Sequence, residues 1–431
     1  MRTTLKKIIY FILQLEARLV VWKYKPKIIA ITGSVGKTST KDAIYAVLKG
    51  VTYVRKSEKS YNSQIGLPLT ILGVPNGWNN LHLWLRNLAK GLWLVVYPHK
   101  YPEWLVLEVG VGKPDDMRTT ASWLRTDVVV MTAIGETPVH VEFFESRKHL
   151  VEEKEKLIKT LKRDGFLVLN ADDETILEMK HKTKNRVVTY GFKEGSDILA
   201  SGENIAYDDV GIPRGIIFRI DEGGKSLPVE IDGVFGKNHI YAVLASLAIA
   251  SALKFNLLDA ISALRNYDAP PGRMRILPGE NGTLIIDDSY NSSPHASTSA
   301  LQTLGELKPK GRRIAVLGDM LELGRHTKEE HEKIGGIAKE NVEILLVVGQ
   351  RAKSIKDGAL ASGMKEKAIF EFGNARETGE FLKTFIKEGD IILVKGSQGM
   401  RMERAVAMIL KDKENKERLL VRQEKEWLAK E

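Results

Sequence analysis

Apolar runs and helical patterns alternate along most of the chain. Short apolar runs stop at Gly, Asn or Asp, as in KIIAITG (27–33), EWLVLEVG (103–110), TDVVVMTAIG (126–135) and GFLVLNADD (165–173). Such runs are typical of buried parallel strands. The segment KTSTKDAIYAVLK after the first run has a helical pattern and is closed by Gly50. This order predicts a parallel α/β architecture, with ligands at the carboxyl ends of the strands.

The pattern changes between residues 187 and 236. The alternation in GIIFRIDEGGKSLPVEIDGVFG (215–236) predicts an antiparallel hairpin around DEGGK. A long Ala-rich helix follows, and Pro270, Pro271 and Gly272 then mark a domain junction. Beyond it a second α/β series begins. We expect four parts: a basic, apolar helical segment (1–26), a central domain (27–271), a smaller Rossmann-like domain (272–411) and a charged helical tail (412–431).

The amino-terminal segment has two interpretations. Its apolar run IIYFILQL is interrupted after residue 15 by Glu16 and Arg18, so it is too short to span a bilayer. It is either a helix packed on the next domain or a helix lying on a membrane surface. In the second case its lysines face lipid phosphates: Lys6, Lys7, Lys23, Lys25 and Lys27. The stretch 78–104, rich in Trp and Tyr, adds to the membrane interpretation.

Composition narrows the class of protein. Of 431 residues, 43% are hydrophobic and 28% charged, as in soluble globular proteins. The absence of cysteine excludes disulfides, thiolate zinc sites and cysteine nucleophiles, and is typical of a reducing cytoplasm. The net charge of +10 indicates a basic solvated surface, anionic substrates or an anionic membrane face. We expect a cytoplasmic monomer, with the inner membrane face as an alternative site, and no nucleic-acid partner.

The first strand–helix junction has the pattern of a phosphate-binding loop. Its residues are Thr32, Gly33, Ser34, Val35, Gly36, Lys37, Thr38 and Ser39. Two glycines let backbone N–H groups approach phosphate oxygens, Lys37 can reach the β- and γ-phosphates, and the Thr38 hydroxyl is placed to ligate Mg²⁺. The alternative is an ordinary glycine-rich turn. The expected fold class is therefore α/β: a central P-loop parallel-sheet ATPase domain followed by a smaller Rossmann-like domain.

The loop is shorter than the common P-loop, because only Ser34 and Val35 separate its first two glycines. ITGSVGKTST resembles the ATP-binding loop of the Mur ligase family, the amide-forming enzymes of peptidoglycan precursor synthesis. Other stretches are similar to further landmarks of the family, and especially of the members that add D-alanyl-D-alanine. These are YNSQIGLPLT (61–70), LEVGVGKPDDM (107–117), IIDDSYNSSPHA (285–296), VLGDMLELG (316–324) and VKGSQGMRMER (394–404).

The resemblance implies a metal and catalytic centre. Metal ligands would be Thr38, Glu108, His140 and Lys154, and catalytic residues Lys37, His140, Lys154 and Arg273. Lys154 corresponds to a carbamylated lysine that supplies an oxygen ligand. Its surroundings, EEKEK, are equally typical of a solvated helix face. Glu108 also suits Mg²⁺ on its own terms, because it stands at the carboxyl end of a strand-like run, where a carboxylate can complete a Mg²⁺ shell opened by Thr38 and phosphate oxygens.

The resemblance also implies the binding residues. Besides the P-loop, ATP would contact Asn238, His239, Arg273, Asp288, Tyr290 and Asn291. The substrates would contact Asn62, Ser63, Lys395, Gly396 and Ser397.

The implied reaction is an ATP-dependent amide ligation with two Mg²⁺ ions. The γ-phosphoryl group passes to a substrate carboxylate, and an amine, most simply D-Ala-D-Ala, then attacks the acyl phosphate. Because the P-loop begins at Thr32, we expect no room for the family's usual UDP-binding domain before it. This leaves two alternatives open: a ligase acting on a lipid-linked, polymeric or other non-UDP carboxylate, and a non-catalytic ATP-binding homologue.

Overall fold

Two β-sheets organise the protein. The computed structural model describes residues 3–57, 61, 65–135, 143–265 and 267–429, with side chains from Lys7 onward. Within these residues the first sheet has nine strands in the order β2-β3-β1-β4-β5-β6-β7-β8-β9, and they run parallel except for β8, which is antiparallel to both of its neighbours, β7 and β9. Its strands are β1 (Lys27–Thr32), β2 (Val54–Lys56), β3 (Trp104–Glu108), β4 (Thr126–Met131), β5 (Leu161–Asn170), β6 (Arg186–Gly191), β7 (Ile198–Tyr207), β8 (Pro213–Glu222) and β9 (Lys225–Asp232).

Helices cover both faces of this sheet. They are α1 (Thr3–Tyr24), α2 (Lys37–Lys49), α3 (Gly66–Leu72), α4 (Leu81–Val96), α5 (Asp116–Ala121), α6 (Arg147–Glu155), α7 (Glu174–Leu177), α8 (Lys237–Ala252) and α9 (Leu257–Leu264). The Ala-rich α8 is buried along most of its length and packs against α2, because its small side chains allow close approach. The predicted hairpin is confirmed: β8 and β9 pair antiparallel, and Gly223 and Gly224 turn between them with positive φ angles.

The second sheet has six strands in the order β10-β11-β15-β12-β13-β14, and only β10 runs antiparallel. Its strands are β10 (Arg275–Pro278), β11 (Leu284–Asp288), β12 (Arg313–Gly318), β13 (Ile344–Val348), β14 (Ile369–Phe372) and β15 (Ile391–Lys395). Its helices are α10 (Pro294–Glu306), α11 (Thr327–Asn341), α12 (Lys353–Ala361), α13 (Ala375–Phe385) and α14 (Glu403–Ile409). The α/β fold class is confirmed, and the two sheets flank the predicted junction at Pro270–Gly272.

The carboxyl-terminal tail differs from the single charged helix that its sequence predicts. It forms two short helices, α15 (Lys416–Leu419) and α16 (Lys425–Leu428), because the chain between them is drawn inward. Leu420 is buried in the core of the second domain, and Arg422 is buried beside it.

The amino-terminal helix α1 has one side packed on the central domain and one side exposed, so it combines features of the packed-helix and membrane-surface interpretations. Its inner residues Ile9, Leu13, Ala17 and Val20 are buried in a core shared with α3 and α4. Its outer residues are exposed. Within the described residues, no helix has the length and apolar character needed to cross a membrane.

Candidate active site

The P-loop strand β1 lies between β3 and β4. The register places Ile31 beside Glu108 of β3, and Thr32 beside Met131 of β4. The carboxyl ends of three parallel strands therefore meet at one edge, where α2 begins directly with Lys37. This is the position at which open α/β sheets bind ligands.

The loop after β4 supports the P-loop from one side. Ala133 O accepts hydrogen bonds from Ser34 N at 2.6 Å and Val35 N at 3.2 Å, and the Thr132 hydroxyl donates to Val35 O at 2.7 Å. A Cβ on Gly33 would lie 1.9 Å from Thr132 Oγ1. Glycine is therefore required at this position for packing as well as for phosphate approach. Thr132 was not predicted from the sequence. Its position directly after a buried strand, where site residues gather in parallel sheets, is the sequence signal that could have identified it.

Two lysines, the half-buried Lys37 and the buried Lys154, converge on this loop. Gly33 O accepts hydrogen bonds from Lys37 Nζ at 2.8 Å and from Lys154 Nζ at 3.1 Å. Burial and the nearby charge of Lys37 hold the pKa of Lys154 well below its usual range. Burial lowers the pKa of Lys37 to about 8, with Glu108 opposing this effect and Arg273 adding to it. The alternative that Lys154 lies on a solvated helix face is wrong, since its side chain is 3% exposed.

Thr38 and Glu108 place two side-chain oxygens together at the mouth of the phosphate-binding loop. The Thr38 hydroxyl donates to Glu108 Oε2 at 3.0 Å, and both side chains are buried. A hydroxyl and a carboxylate at the mouth of a phosphate loop are suitable Mg²⁺ ligands, with phosphate oxygens and water completing the shell. In the described part of the chain, no group of three or more His, Asp or Glu side chains is arranged to hold a metal. His140 lies outside the described residues.

His239 lines the cavity between the P-loop and the domain junction. Its Nε2 is 2.7 Å from Arg273 O, so this nitrogen carries the proton and donates, and its Nδ1 accepts from the Tyr267 hydroxyl at 2.9 Å. Burial lowers the pKa of His239 to about 4. The neutral ring therefore fixes the backbone of Arg273. The Tyr267 hydroxyl also bonds to Ser39, which connects α2 with the domain junction.

The second domain contributes the opposite wall. The guanidinium of Arg273 lies over the Tyr290 ring, 3.9 Å from its centroid. Lys395 Nζ donates to Asp288 Oδ2 at 2.6 Å and to Asn291 O at 3.0 Å. The buried Lys395 thus holds the loop after β11 in place. Asn291 Oδ1 accepts from Gln398 N at 3.3 Å, which ties this loop to the turn after β15.

The turn after β15 packs closely on its neighbours. A Cβ on Gly396 would lie 3.2 Å from the Cα of Gly318, so the two turns are in backbone contact. Ser397 N donates to Asp319 O at 3.0 Å, and Ser397 Oγ accepts from Leu321 N at 2.8 Å. Asp319 was missed at the sequence level, although it stands in the motif VLGDMLELG.

The predicted residues of both domains line one cleft. Adjoining cavities are bounded by Ser34, Val35, Gly36, Lys37, Thr38, Ser39, Glu108, Asn238, His239, Arg273, Asp288, Tyr290, Asn291, Lys395 and Ser397. Thr32 is buried at the base of the phosphate-binding loop. Lys154 donates a hydrogen bond to Gly33 O of the same loop from the protein interior. Asn62 and Ser63 lie outside the described residues. The individual roles of these residues stay predictions.

Comparison with known proteins decides the family. Residues 31–250 match the Mur ligase middle domain, and residues 272–398 match the Mur ligase, glutamate ligase domain. The first match alone covers just over half of the chain. The chain belongs to the Mur ligase family.

Relatives of this Mur ligase are similar over most of their length. The UDP-N-acetylmuramoyl-tripeptide–D-alanyl-D-alanine ligase of Bacillus subtilis (strain 168) is 28% identical over 398 residues, which is 91% of this chain and 78% of that protein. The Escherichia coli (strain K12) enzyme of the same name is 27% identical over 387 residues, or 88% and 76%. The MurF ligase of Thermotoga maritima, solved with ADP, superimposes with a TM-score of 0.75 at 26% identity, covering 94% and 84%.

Membership of the family confirms the predicted class of reaction. This Mur ligase is an ATP-dependent, ADP-forming ligase. It uses ATP with Mg²⁺, and the Thr38–Glu108 pair is suited to that ion.

Proposed function

We propose that this Mur ligase joins D-Ala-D-Ala to the terminal carboxylate of a UDP-muramoyl tripeptide in cell-wall precursor synthesis. The observation that carries the proposal is the cleft between the two domains. One wall holds the P-loop, Lys154 and Glu108, and the other holds the loops after β11 and β15. A cleft of this kind can bring ATP, a carboxylate and an amine together. The names of the relatives supply the two peptide substrates.

In the first step, a carboxylate oxygen of the acyl substrate attacks the γ-phosphorus of ATP. The bond to the β,γ-bridging oxygen breaks, and the products are an acyl phosphate and ADP. Lys37 offsets the charge that develops on the β- and γ-phosphate oxygens, and Arg273 supplies a planar donor for the phosphoryl group in transit. Bound Mg²⁺ neutralises phosphate charge and orients the oxygens.

We assign Lys154 the role of a carbamate. Its low pKa leaves a neutral amine, which can add to carbon dioxide and release a proton. The carbamate would replace this neutral amine by an anion beside Lys37, and its oxygens would complete a second Mg²⁺ site with His140.

In the second step, the amine of D-Ala-D-Ala attacks the acyl carbonyl carbon. Phosphate leaves with the electrons of the carbon–oxygen bond, the amine loses a proton, and an amide forms. Lys395 and Ser397 position the loops against which the dipeptide would lie. Closure of the domains would exclude water, which otherwise hydrolyses the acyl phosphate. We place the reaction in the cytoplasm and assign it to a monomer.

The decisive experiment measures ADP release and product mass. Purified protein is supplied with ATP, Mg²⁺ and D-Ala-D-Ala, together with UDP-muramoyl tripeptide or with other peptide carboxylates. ADP and an amide product should form only when both the tripeptide and D-Ala-D-Ala are present. Turnover with a lipid-linked or polymeric carboxylate alone would contradict the UDP-linked substrate. Absence of turnover with every carboxylate would contradict ligase activity.

A further inference from the structure

The outer side of α1 is an exposed apolar stripe. Ile8, Phe11, Leu15 and Trp22 are exposed and recur at spacings of three, four and seven residues, which places them on one side of the helix. Phe11 is 67% exposed and Trp22 is 76% exposed. The opposite side of the helix is already buried in the core. A second, equally apolar side therefore has no role in holding the helix to this chain.

Helix α4 presents a similar surface beside it. The two helices lie parallel: the rings of Tyr10 and Trp84 are 5.9 Å apart, and Lys23 Nζ donates to the carbonyls of Leu94 at 3.1 Å and Val95 at 2.9 Å. Leu85, Leu92, Trp93 and Val96 of α4 are also exposed. We call the exposed residues of α1 and α4 together the outer face.

Aromatic side chains gather at one end of the outer face. Trp93 packs against Tyr97 with ring centroids 4.2 Å apart, and Trp22 lies on the last turn of the neighbouring helix. Trp and Tyr are enriched where a protein meets the water–lipid boundary, because one part of each ring system is apolar and the other is polar. This end adjoins the amino ends of the strands, whereas the active site is at their carboxyl ends.

The exposed charged side chains that the structure describes on α1 and α4 are all basic. Exposed basic residues include Lys7, Arg18 and Lys25 on or next to α1, and Arg86 and Lys100 on or after α4. Glu16 is the single acidic residue from Met1 to Lys27, and it is buried between α1 and α4. The sequence from Gly73 to Pro102 contains no Asp or Glu.

We propose that the outer face is a docking surface for an anionic lipid bilayer. The apolar stripes enter the boundary between headgroups and acyl chains, while the basic residues contact lipid phosphates. A second copy of the chain is a poorer occupant, because a two-fold contact through this face would set its basic residues against their own copies. The inference stands apart from the proposed function, since it concerns a surface remote from the cleft.

The test is sedimentation of the full chain with vesicles of phosphatidylcholine, alone or mixed with phosphatidylglycerol. We expect binding to the mixed vesicles that weakens as salt is raised. The double variant Trp22→Ser/Trp93→Ser should bind about tenfold more weakly or worse. The variant Lys25→Gln/Arg86→Gln should lose about fivefold for each charge removed. The control Val210→Ser/Leu258→Ser changes two exposed apolar residues elsewhere and should bind as the wild type does.

Three outcomes of this experiment would contradict the docking proposal. Wild-type protein that does not sediment with mixed vesicles would overturn it, as would equal binding by the aromatic variant and the control. A dimer in solution that the aromatic variant abolishes would assign the face to a second copy instead. All variants should keep wild-type thermal stability and ATP turnover, which separates failure of docking from failure of the fold or of catalysis.

Discussion

At the scale of single residues, the P-loop lysine Lys37 gives the most direct prediction about catalysis. Lys37 is half-buried against the phosphate-binding loop, and its amine donates hydrogen bonds to two backbone carbonyls of that loop, Gly33 O and Ser34 O. In Lys37→Met the stem remains and the charge is lost. We expect kcat to fall by about 10²–10³, the usual loss when one donor to developing charge is removed. ADP release measures this. Lys49→Met, at the exposed end of the same helix, should be unaffected, and a loss of less than tenfold in a folded Lys37→Met protein would contradict the role.

The proposed carbamate on Lys154 gives a prediction about pH. Its depressed pKa means that the neutral amine persists at lower pH than for an ordinary lysine, so carbamate forms there too. With isotope-labelled bicarbonate, a carbon NMR signal should appear in wild-type protein, decline as acidification protonates the amine, and be absent in Lys154→Met. Turnover should fall in buffer stripped of carbon dioxide and return with bicarbonate. Turnover that is indifferent to bicarbonate, with no carbamate signal, would refute the assignment.

The sequence predicts some of these residues far better than others. Lys37 and Thr38 follow from local spacing, because loop and helix dictate where their side chains point. Lys154 stands among charged residues, and its burial depends on how α6 packs behind the P-loop, which no local pattern records. Thr132 bonds to backbone carbonyls of the P-loop, and Tyr267 bonds to the side chains of His239 and Ser39. These partners are distant in sequence, so the importance of both residues emerges only from the folded chain.

At the scale of elements, His239 of α8 links this helix to the domain junction, because its ring bonds to Arg273 O just before β10. Its folded pKa of about 4 lies below the usual 6.5, so the unfolded chain binds more protons between these values. The stability supplied by the neutral ring is therefore complete above the unfolded pKa and is lost as pH falls toward the folded one. In denaturant unfolding, the advantage of wild type over His239→Gln should shrink by about 2 kcal/mol between about pH 8 and about pH 5.

The measured quantity must be the difference in unfolding free energy between wild type and His239→Gln at each pH. The unfolding free energy of wild type alone also contains the titration of other groups, some of which add stability as pH falls. Burial raises the pKa of Asp287 to about 6, so this carboxyl adds stability as pH falls. His181→Gln, an exposed histidine in the same domain, is the matched control. A His239→Gln difference that is constant with pH would show that folding does not lower the pKa of this ring, which would contradict the account.

Glu16 gives the converse prediction for the contact between α1 and α4. It is buried close to Gly91, and its Oε2 has no hydrogen-bond partner among the described residues. Burial raises its pKa from 4.5 to about 7, so its destabilising effect is full above that value and fades as pH falls toward 4.5. Glu16→Gln should therefore raise stability at alkaline pH by up to about 3 kcal/mol and by much less near pH 5, as measured by denaturant unfolding. Glu414→Gln, at an exposed site, should change neither value, and destabilisation by Glu16→Gln at alkaline pH would contradict this account.

At the scale of the whole molecule, periodicity predicts two α/β units but not the way they meet. Strand runs are local, so both sheets could be anticipated. The interface instead depends on single long-range contacts, such as Arg273 on Tyr290, and on the tail. The sequence of the tail has little apolar pattern, and buried ionic contacts hold it instead. Arg422 of the tail bonds to the buried Glu403 of α14, and Glu403 also accepts a hydrogen bond from Arg401. Polar contacts of this kind leave no periodic signal in a sequence.

The tail also joins the two domains, and this leads to a prediction about closure. Trp427 meets the ring of Trp78 edge-on, with centroids 6.2 Å apart, while its carbonyl accepts from Arg401 at 2.9 Å. The two rings bound a cavity of about 710 Å³ that reaches Thr38 and Arg273. Trp427→Ala should weaken closure and lower kcat/KM by about 2- to 12-fold, since an aromatic pair is worth about 0.5–1.5 kcal/mol. In a double-mutant cycle, Trp78→Ala should add little to Trp427→Ala, whereas Leu428→Ala on the same short helix should be neutral. Fully additive losses would mean that the rings act separately and that the tail does not hold the domains together.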